Sequence, residues 1–324
     1  MKNGSICGFL ALCLLLLLAV PCAQAEGEAY TVGILQYVEH PALDASTEFF
    51  LKALADNGIV EGENLKVTIL NPSADPGATQ LMSEQLVQDG NMLLLGVATP
   101  AVQALSAHTE TIPILGVAVT DYVGAGLIAS NEAPGINVSG TTDMNPIDLQ
   151  IDLLIKLAPD AKTIGICYTS NEPNSQIQAD IAKEEAEKRG LAVEIKTISA
   201  VGEVQQAIET LTSMVDAIYI PTDNVLASAM PVVGEVAEAK KIPVVTGEAN
   251  QCENGGLATV GLDYQKLGYQ TGMMGLRILT EGANPAEMPI ERLLDADLSL
   301  NLTTAELIGF TFPQDLLDAA VNTF

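Results

Sequence analysis

Residues 163–182 read TIGICYTSNEPNSQIQADIA. Residues 163–167 are apolar or small at every position, the pattern of a strand buried on both faces. A polar loop with a proline follows, and an amphipathic helix opens at Asn174-Ser175, with Ile177 and Ile181 one turn apart. A helix whose first N–H groups lie just beyond a strand's carboxyl end is a natural seat for an anion. Strand, loop and helix in that order also predict an α/β fold, since parallel strands are joined through crossover helices.

The same unit recurs along the chain. Before it, strands are predicted over 29–36, 65–70, 92–97 and 114–119, with helices over 44–57, 78–89 and 100–107 and Gly58 closing the first helix. The pattern restarts after Asp143 with a helix over 146–157. Strands over 163–167, 192–197, 217–220 and 243–246 then alternate with helices over 175–189, 201–214 and 224–240. At 324 residues the chain exceeds one ordinary core. The expected architecture is two doubly wound, Rossmann-like α/β lobes. A strand over 258–261 and a helix over 264–281 are expected to cross back to the first lobe before the tail re-enters the second. The first lobe would then hold 26–142 and about 258–284, and the second 143–257 and about 285–324. Three crossings make a hinge, and hinged lobes close around a ligand.

Within residues 1–25 the only charge is Lys2; an apolar run over 6–20 leads to Pro21-Cys22-Ala23-Gln24-Ala25. This is the layout of a cleavable signal peptide, with Ala23-Gln24-Ala25 as the cleavage site. The run falls short of the ~20 apolar residues of a membrane span. The mature chain is expected to begin near Glu26, in the periplasm or otherwise outside the cytoplasm, without membrane insertion. Pro21, where lipoprotein signals carry a small residue, argues against a lipid anchor on Cys22.

Removing Lys2 with the leader takes the formal charge from −27 to −28. Such a surface repels phosphate backbones and anionic lipids, so nucleic acid is not an expected partner. Otherwise the charge signifies a solvated shell. Cys7, Cys13 and Cys22 belong to the leader, leaving Cys167 in an apolar strand and Cys252 in a Gly- and Asn-rich loop. An oxidising compartment permits a disulfide between them, although a small buried thiol is the expectation for Cys167.

In open α/β sheets ligands lie beyond the carboxyl ends of strands. The residues there are 37–40, 98–100, 120–122, 168–175, 221–224 and 247–248. Nearly every one of these loops joins a hydroxyl or amide to a carboxylate, which is equipment for holding a zwitterion. Thr99-Pro100 and Asn174-Ser175 stand at helix starts, where free N–H groups favour a carboxylate, although Thr99 and Asn174 would cap their helices in any case. Asp121, Asp223 and Glu248 are candidate partners for an ammonium, with a solvated loop acid as the alternative for each. Tyr37, Thr120, Tyr122, Asn171, Thr222 and Asn224 complete the candidate ligand-binding set, Tyr37 and Tyr122 as the lining of a side-chain pocket.

Arginine narrows the ligand by its placement. Arg189, Arg277 and Arg292 lie on or beside predicted helices and outside these loops. A phosphate, sulfate or dicarboxylate favours bidentate arginine, so a single carboxylate fits better. The chain has no tryptophan, which removes indole stacking on a sugar.

Residues 124–129, GAGLIA, match the loose G-x-G-x-x-A dinucleotide pattern, but only after the insertion of Thr120-Asp121-Tyr122. A glycine-rich turn is the better reading. There is no P-loop, H-E-x-x-H or G-x-S-x-G motif. His40 could reach a ligand or serve the turn at His40-Pro41; His108 is expected in solvent, and neither has a cysteine or histidine at metal-ligand spacing. No catalytic residue, metal site or cofactor is expected.

Taken in order, HPALDA at 40–45, ATPAVQA at 98–104, VTDYVGAGL at 119–127, NVSGTTD at 137–143, NEPNS at 171–175, PTDN at 221–224 and GLDYQKLGYQTG at 261–272 resemble a known family. It is the periplasmic-binding-protein-like ABC transporter substrate-binding proteins, which include tryptophan-binding members. The resemblance runs over nearly all of the mature chain. It implies a type I periplasmic binding protein fold with three crossovers, acting as a monomer that feeds a membrane permease and its ATPase. It also implies a small amino acid as ligand, apolar or aromatic. The sequence departs from the pattern twice at the proposed cleft. Tyr122 stands where the family commonly has proline after V-T-D, and residues 169–175 read TSNEPNS where it commonly has NPGEANS.

These readings converge on a non-enzymatic extracytoplasmic receptor. Thr99, Asn174 and Ser175 would hold the ligand's carboxylate, and Asp121 or Asp223 its ammonium. The alternatives are a receptor for another small polar solute such as a nucleoside or peptide-like compound, a sensory ligand-binding subunit, and a secreted enzyme binding a nucleotide at 124–129.

Overall fold

The structure is a computed structural model whose described residues are Met1 and 29–324. The proposed cleavage site and Cys7, Cys13 and Cys22 lie outside them. The first lobe begins with β1 (Tyr30–Gln36), α1 (Pro41–Asp56), β2 (Leu65–Leu70), α2 (Pro76–Gln88), β3 (Leu93–Val97), α3 (Thr99–His108), β4 (Ile114–Val119) and β5 (Val138–Thr142). β3 and β4 are buried along their whole length, as central strands covered by helices on both faces must be.

The second lobe runs α4 (Ile147–Leu157), β6 (Thr163–Thr169), α5 (Pro173–Lys188), β7 (Ala192–Ile198), α6 (Val204–Leu211), β8 (Ala217–Ile220), α7 (Asn224–Ser228), α8 (Met230–Lys240), β9 (Val244–Thr246), α9 (Ala249–Glu253) and β10 (Ala258–Gly261). The chain then passes through α10 (Tyr264–Glu281), β11 (Glu291–Arg292), β12 (Asp297–Leu300), α11 (Leu302–Ile308), α12 (Gln314–Ala319) and β13 (Asn322–Thr323). The sheet orders are β11-β5-β4-β3-β1-β2 and β13-β12-β10-β9-β8-β6-β7. All pairings are parallel except β10 with β12. Two parallel-sheet lobes with helices on both faces are therefore present, as the alternation predicts.

The crossings fall between β5 and α4, β10 and α10, and β11 and β12. This corrects two assignments. Residues 258–261 belong to the second sheet, where Ala258 pairs with Val245 and Leu300, and only the following helix returns to the first lobe. Residues 291–292 lie in the first sheet, where Glu291 pairs with Thr141. Strand pairing is set by partners distant in sequence, so the alternation of elements does not reveal where a crossing occurs.

α10 lies against α1, and its glycines permit the contact. A Cβ on Gly272 would stand 2.5 Å from the Phe50 carbonyl oxygen, so only a bare Cα fits there. Phe50 is fully buried on α1, a burial that stabilises by about 1.5–3 kcal/mol. Among the described residues no helix is long and apolar enough to cross a membrane.

Candidate functional site

The carboxyl ends of the strands of both lobes meet at a seam. His40, Thr120 and Asp143 face it from the first lobe and its hinge, and Asn174, Thr222, Asp223, Asn224 and Glu248 from the second. They line a small void of about 20 Å³. Two side-chain bonds cross the seam. His40 Nε2 lies 3.3 Å from Asn224 Oδ1, and Gln178 Nε2 donates to Thr120 Oγ1 at 3.2 Å. A void of this size is far below the roughly 300–1,000 Å³ of pockets that hold drug-sized ligands. Entry of an amino acid therefore requires the lobes to part.

A larger groove of about 830 Å³ lies at the hinge edge, lined by Thr120, Asp121, Tyr122 and Arg292 among others. Arg292 is on β11 rather than beside a helix. No side chain on the groove carries a buried unpartnered polar atom, whereas three on the small void do. Unspent hydrogen-bonding capacity thus lies at the void.

Three buried acids of the second lobe, Asp223, Glu248 and Glu172, each hold a helix start. Asp223 caps α7, accepting from Leu226 N at 2.8 Å, Thr169 N at 2.6 Å and Thr169 Oγ1 at 2.8 Å. Glu248 caps α9 through Asn250 N at 2.6 Å and Gln251 N at 2.7 Å. Glu172 accepts from Asn224 N and Val225 N, both at 3.2 Å, so its carboxyl occupies the anion seat of α7. Neither Asp223 nor Glu248 is a solvated loop acid, the alternative for each; both are buried and cap helices. Burial pushes the pKa of all three above the ordinary carboxylate range, with Asp223 adding to the rise at Glu172. Glu248 reaches about 7 despite its two backbone donors.

α5 begins at Pro173, with Glu172 at its N-cap. Asn174 and Ser175 are therefore inside the first turn rather than before it. Proline at N1 lacks only an N–H that would have been free anyway. Asn174 Nδ2 is committed at 3.2 Å to each of Glu172 Oε2, Ser175 Oγ and Thr222 O. Its unpartnered buried atom is Oδ1, an acceptor, which repels a carboxylate. Thr222 Oγ1 is spent on Gln178 Oε1.

The start of α3 is different. Thr99 is fully buried and its hydroxyl has no partner. Ala98 before it has φ 85°, left-handed for a residue with a side chain, and provides no side-chain cap. Ala118 at the end of β4, beside the void, has φ 56°. Such strain costs about 1–3 kcal/mol per residue and collects at functional sites. Pro100 is half-buried in the first turn of α3 and brings no donor.

Three other candidates do not join the buried set as expected. Tyr122 is 1% exposed, and its hydroxyl donates to Gly116 O at 2.9 Å and Thr141 O at 3.1 Å. It seals the β4–β5 pairing at a register shift instead of offering its hydroxyl to a ligand. A Cβ on Gly140, at φ +147°, would stand 2.3 Å from that hydroxyl. Asp121 is half-buried and accepts from Gly124 N at 2.9 Å, closing a local turn. Asn171 is exposed; Glu172 next to it is the buried residue of that loop. Tyr37 is buried, donates to Ala74 O at 3.3 Å, and lies close enough to Glu172 and Asp223 that they add to its raised pKa.

Sequence reasoning omitted Asp143, Glu172, Gln178 and Tyr264 from the site and left His40 undecided. Asp143 Oδ2 accepts the Tyr264 hydroxyl at 2.6 Å, while Oδ1 is buried without a partner. The available signal was position, since Asp143 follows β5 at a crossing. Residues 124–129 form turns with no helix after them, so the dinucleotide pattern lacks the helix start it requires. Cys167 and Cys252 are both buried and free. Among the described residues no group of three or more His, Cys, Asp or Glu side chains could hold a metal.

The family model described as ABC transporter substrate binding protein matches residues 31–324. A relative named tyrosine-binding protein, from Clostridioides difficile, is 41% identical over 277 residues, 86% of this chain and 80% of that protein. Among solved structures, an ABC domain in complex with L-Trp from Streptococcus pneumoniae is 36% identical with a TM-score of 0.88, covering 91% of this chain and 100% of that one. The ligand-free, open structure of a substrate binding protein with adhesive properties from Clostridium difficile is 41% identical but has a TM-score of 0.68, covering 91% and 99%. The more identical of these two chains, the open one, superposes less well on this structure than the L-Trp complex does. By its matched length, its two-lobed fold and these relatives, the chain belongs to the ABC transporter substrate-binding protein family.

Proposed function

We propose that the chain captures a free aromatic amino acid between its lobes outside the cytoplasm and passes it, chemically unchanged, to a membrane permease and its ATPase. The observation that carries this reading is the start of α3, where Thr99 Oγ1 is buried without a partner and no side chain caps the helix. That is a seat for one carboxylate. The seam opposite is rich in acceptors, and no Lys or Arg lines the void, which suits an ammonium. The printed names of the relatives, one tyrosine-binding and one in complex with L-Trp, support an aromatic side chain. Tyr37 is the aromatic candidate for contact with it.

The lobes would part to admit the ligand and close over it. The ligand favours the closed state only by binding it more tightly than the open one. Thermal-shift screening of the twenty amino acids tests the reading, because a ligand raises stability by RT ln(1 + [L]/Kd). Tyrosine or tryptophan should give the largest shift. Binding of a sugar or nucleoside with no response to any amino acid overturns it.

A further inference from the structure

We propose that the void between the lobes is a seat for a primary ammonium group, gripped by His40 Nδ1, Asp143 Oδ1 and Asn174 Oδ1. The proposal rests on the amino-acid reading above and names the atoms that hold the ligand's nitrogen. Asp121 and Asp223, the partners expected from sequence, are committed to a turn and to a helix cap.

Two networks leave three acceptors on residues that line one cavity: the amides of Asn224 and Asn174 both end on Glu172 Oε2, and the Tyr264 hydroxyl ends on Asp143. Asn224 gives its amide nitrogen to Glu172 and therefore turns Oδ1 toward His40 Nε2, which must carry the ring proton to bond it. A neutral imidazole protonated on Nε2 has a bare lone pair on Nδ1. Asn174 Nδ2 is surrounded by the acceptors Glu172 Oε2, Ser175 Oγ and Thr222 O, which leaves Oδ1 free. Tyr264 takes Asp143 Oδ2 and leaves Oδ1. The three residues are 7%, 4% and 3% exposed, and all three atoms are buried without a partner.

Valence selects the occupant. The closed, ligand-free lobes leave about 20 Å³ here, room for about one heavy atom when a water needs roughly 10–15 Å³ on the same measure, and the rest of an amino acid fits only once the lobes part. A water has two donors and would leave one of these three acceptors unpaired. An ammonium has three donors and no lone pair, and its charge answers the Asp143 carboxylate. The ligand's carboxylate is left to the α3 start.

Calorimetric titration of the full chain tests this with tyrosine, tryptophan and aliphatic amino acids, each beside its N-methyl, N,N-dimethyl and α-hydroxy-acid analogues. Each N–H replaced leaves a buried acceptor unpaired, so affinity should fall roughly tenfold per methyl, and roughly a hundredfold or more for the hydroxy acid. Asp143→Asn should weaken the parent amino acid at least roughly tenfold. Should that variant not fold, the analogue series on the unaltered chain decides. Dimethyl and parent compounds binding alike overturns the seat and leaves the aromatic reading standing. An aliphatic amino acid that binds with the same methyl dependence, while aromatic ones do not, supports the seat and overturns the aromatic reading. If no primary amine binds, both fall.

Discussion

Asn224 donates its side-chain amide to Glu172 Oε2 at 2.5 Å and thereby presents its own Oδ1 to His40 Nε2 at 3.3 Å. A second-lobe acid thus sets the tautomer of a first-lobe histidine through one intervening amide. Burial lowers the His40 pKa to about 4, so the ring remains neutral near pH 7 and keeps a single N–H. The same bond ties closure of the lobes to the orientation of a site residue.

The buried ionisable groups give stability a pH profile with two opposing parts. Burial raises Glu172, and it raises Glu248 to about 7, so the folded state holds protons that the unfolded chain releases. Their contribution is full below about pH 4.5 and is lost as pH rises through 7. His40 acts in the opposite sense, because its folded value of about 4 lies below the ordinary 6.5, and stability grows as pH rises between them. Above about pH 6.5 the acids act alone, so stability against urea should fall from there to about pH 8. Glu172→Gln should flatten the fall, and a level or rising profile in the unaltered chain sinks this account.

Thr99→Val removes a hydroxyl that has no partner in the folded chain. Stability without ligand should be unchanged or raised by up to ~1 kcal/mol, because an unpaired polar group leaves the interior. Affinity for the amino acid should drop roughly tenfold, as one hydrogen bond to the carboxylate is lost. Urea denaturation and calorimetry on one preparation check both signs; equal affinity in the two proteins removes Thr99 from the site.

Tyr122→Phe separates the two roles of that residue. Leaving the carbonyls of Gly116 and Thr141 unpaired should cost about 1–3 kcal/mol, read from the denaturation midpoint. Affinity should stay within roughly threefold. A large loss of affinity with unchanged stability instead places the hydroxyl on the ligand.

Thr120→Ala deletes the acceptor of one bond across the seam, from Gln178 Nε2. A neutral hydrogen bond is worth about 1 kcal/mol, so the ligand-free protein should shift roughly fivefold toward open lobes. Small-angle scattering should show a larger radius of gyration without ligand and a common value at saturation. Identical scattering in the ligand-free proteins argues that this bond does not hold the closed state.

The lobes were legible because their signals are local. All-apolar strands such as β3 and β4 and helix starts such as Thr99-Pro100 at α3 depend on side chains a few residues apart. β5, with the sequence VSGTT, escaped notice because its burial comes from α10 and β4 rather than from apolar alternation. The placement of β10 failed for a related reason, since the sheet a strand joins is fixed by partners far along the chain.

The strand-end loops likewise identified where ligand chemistry gathers, from the general geometry of parallel sheets. They could not show which polar atoms remain free. Asp223 and Glu248 have the composition of ligand-binding acids, yet their oxygens are consumed within their own lobe, by helix starts and, for Asp223, by Thr169 as well. Asp143, Asn174 and His40 each keep one atom unpaired because of bonds made to Tyr264, Thr222 and Asn224, residues 121, 48 and 184 positions away. Residue type sets how many hydrogen bonds a side chain can make, and sequence displays that number directly. How many are left over depends on neighbours that only packing brings within 3 Å or so, and it is the remainder that a ligand meets.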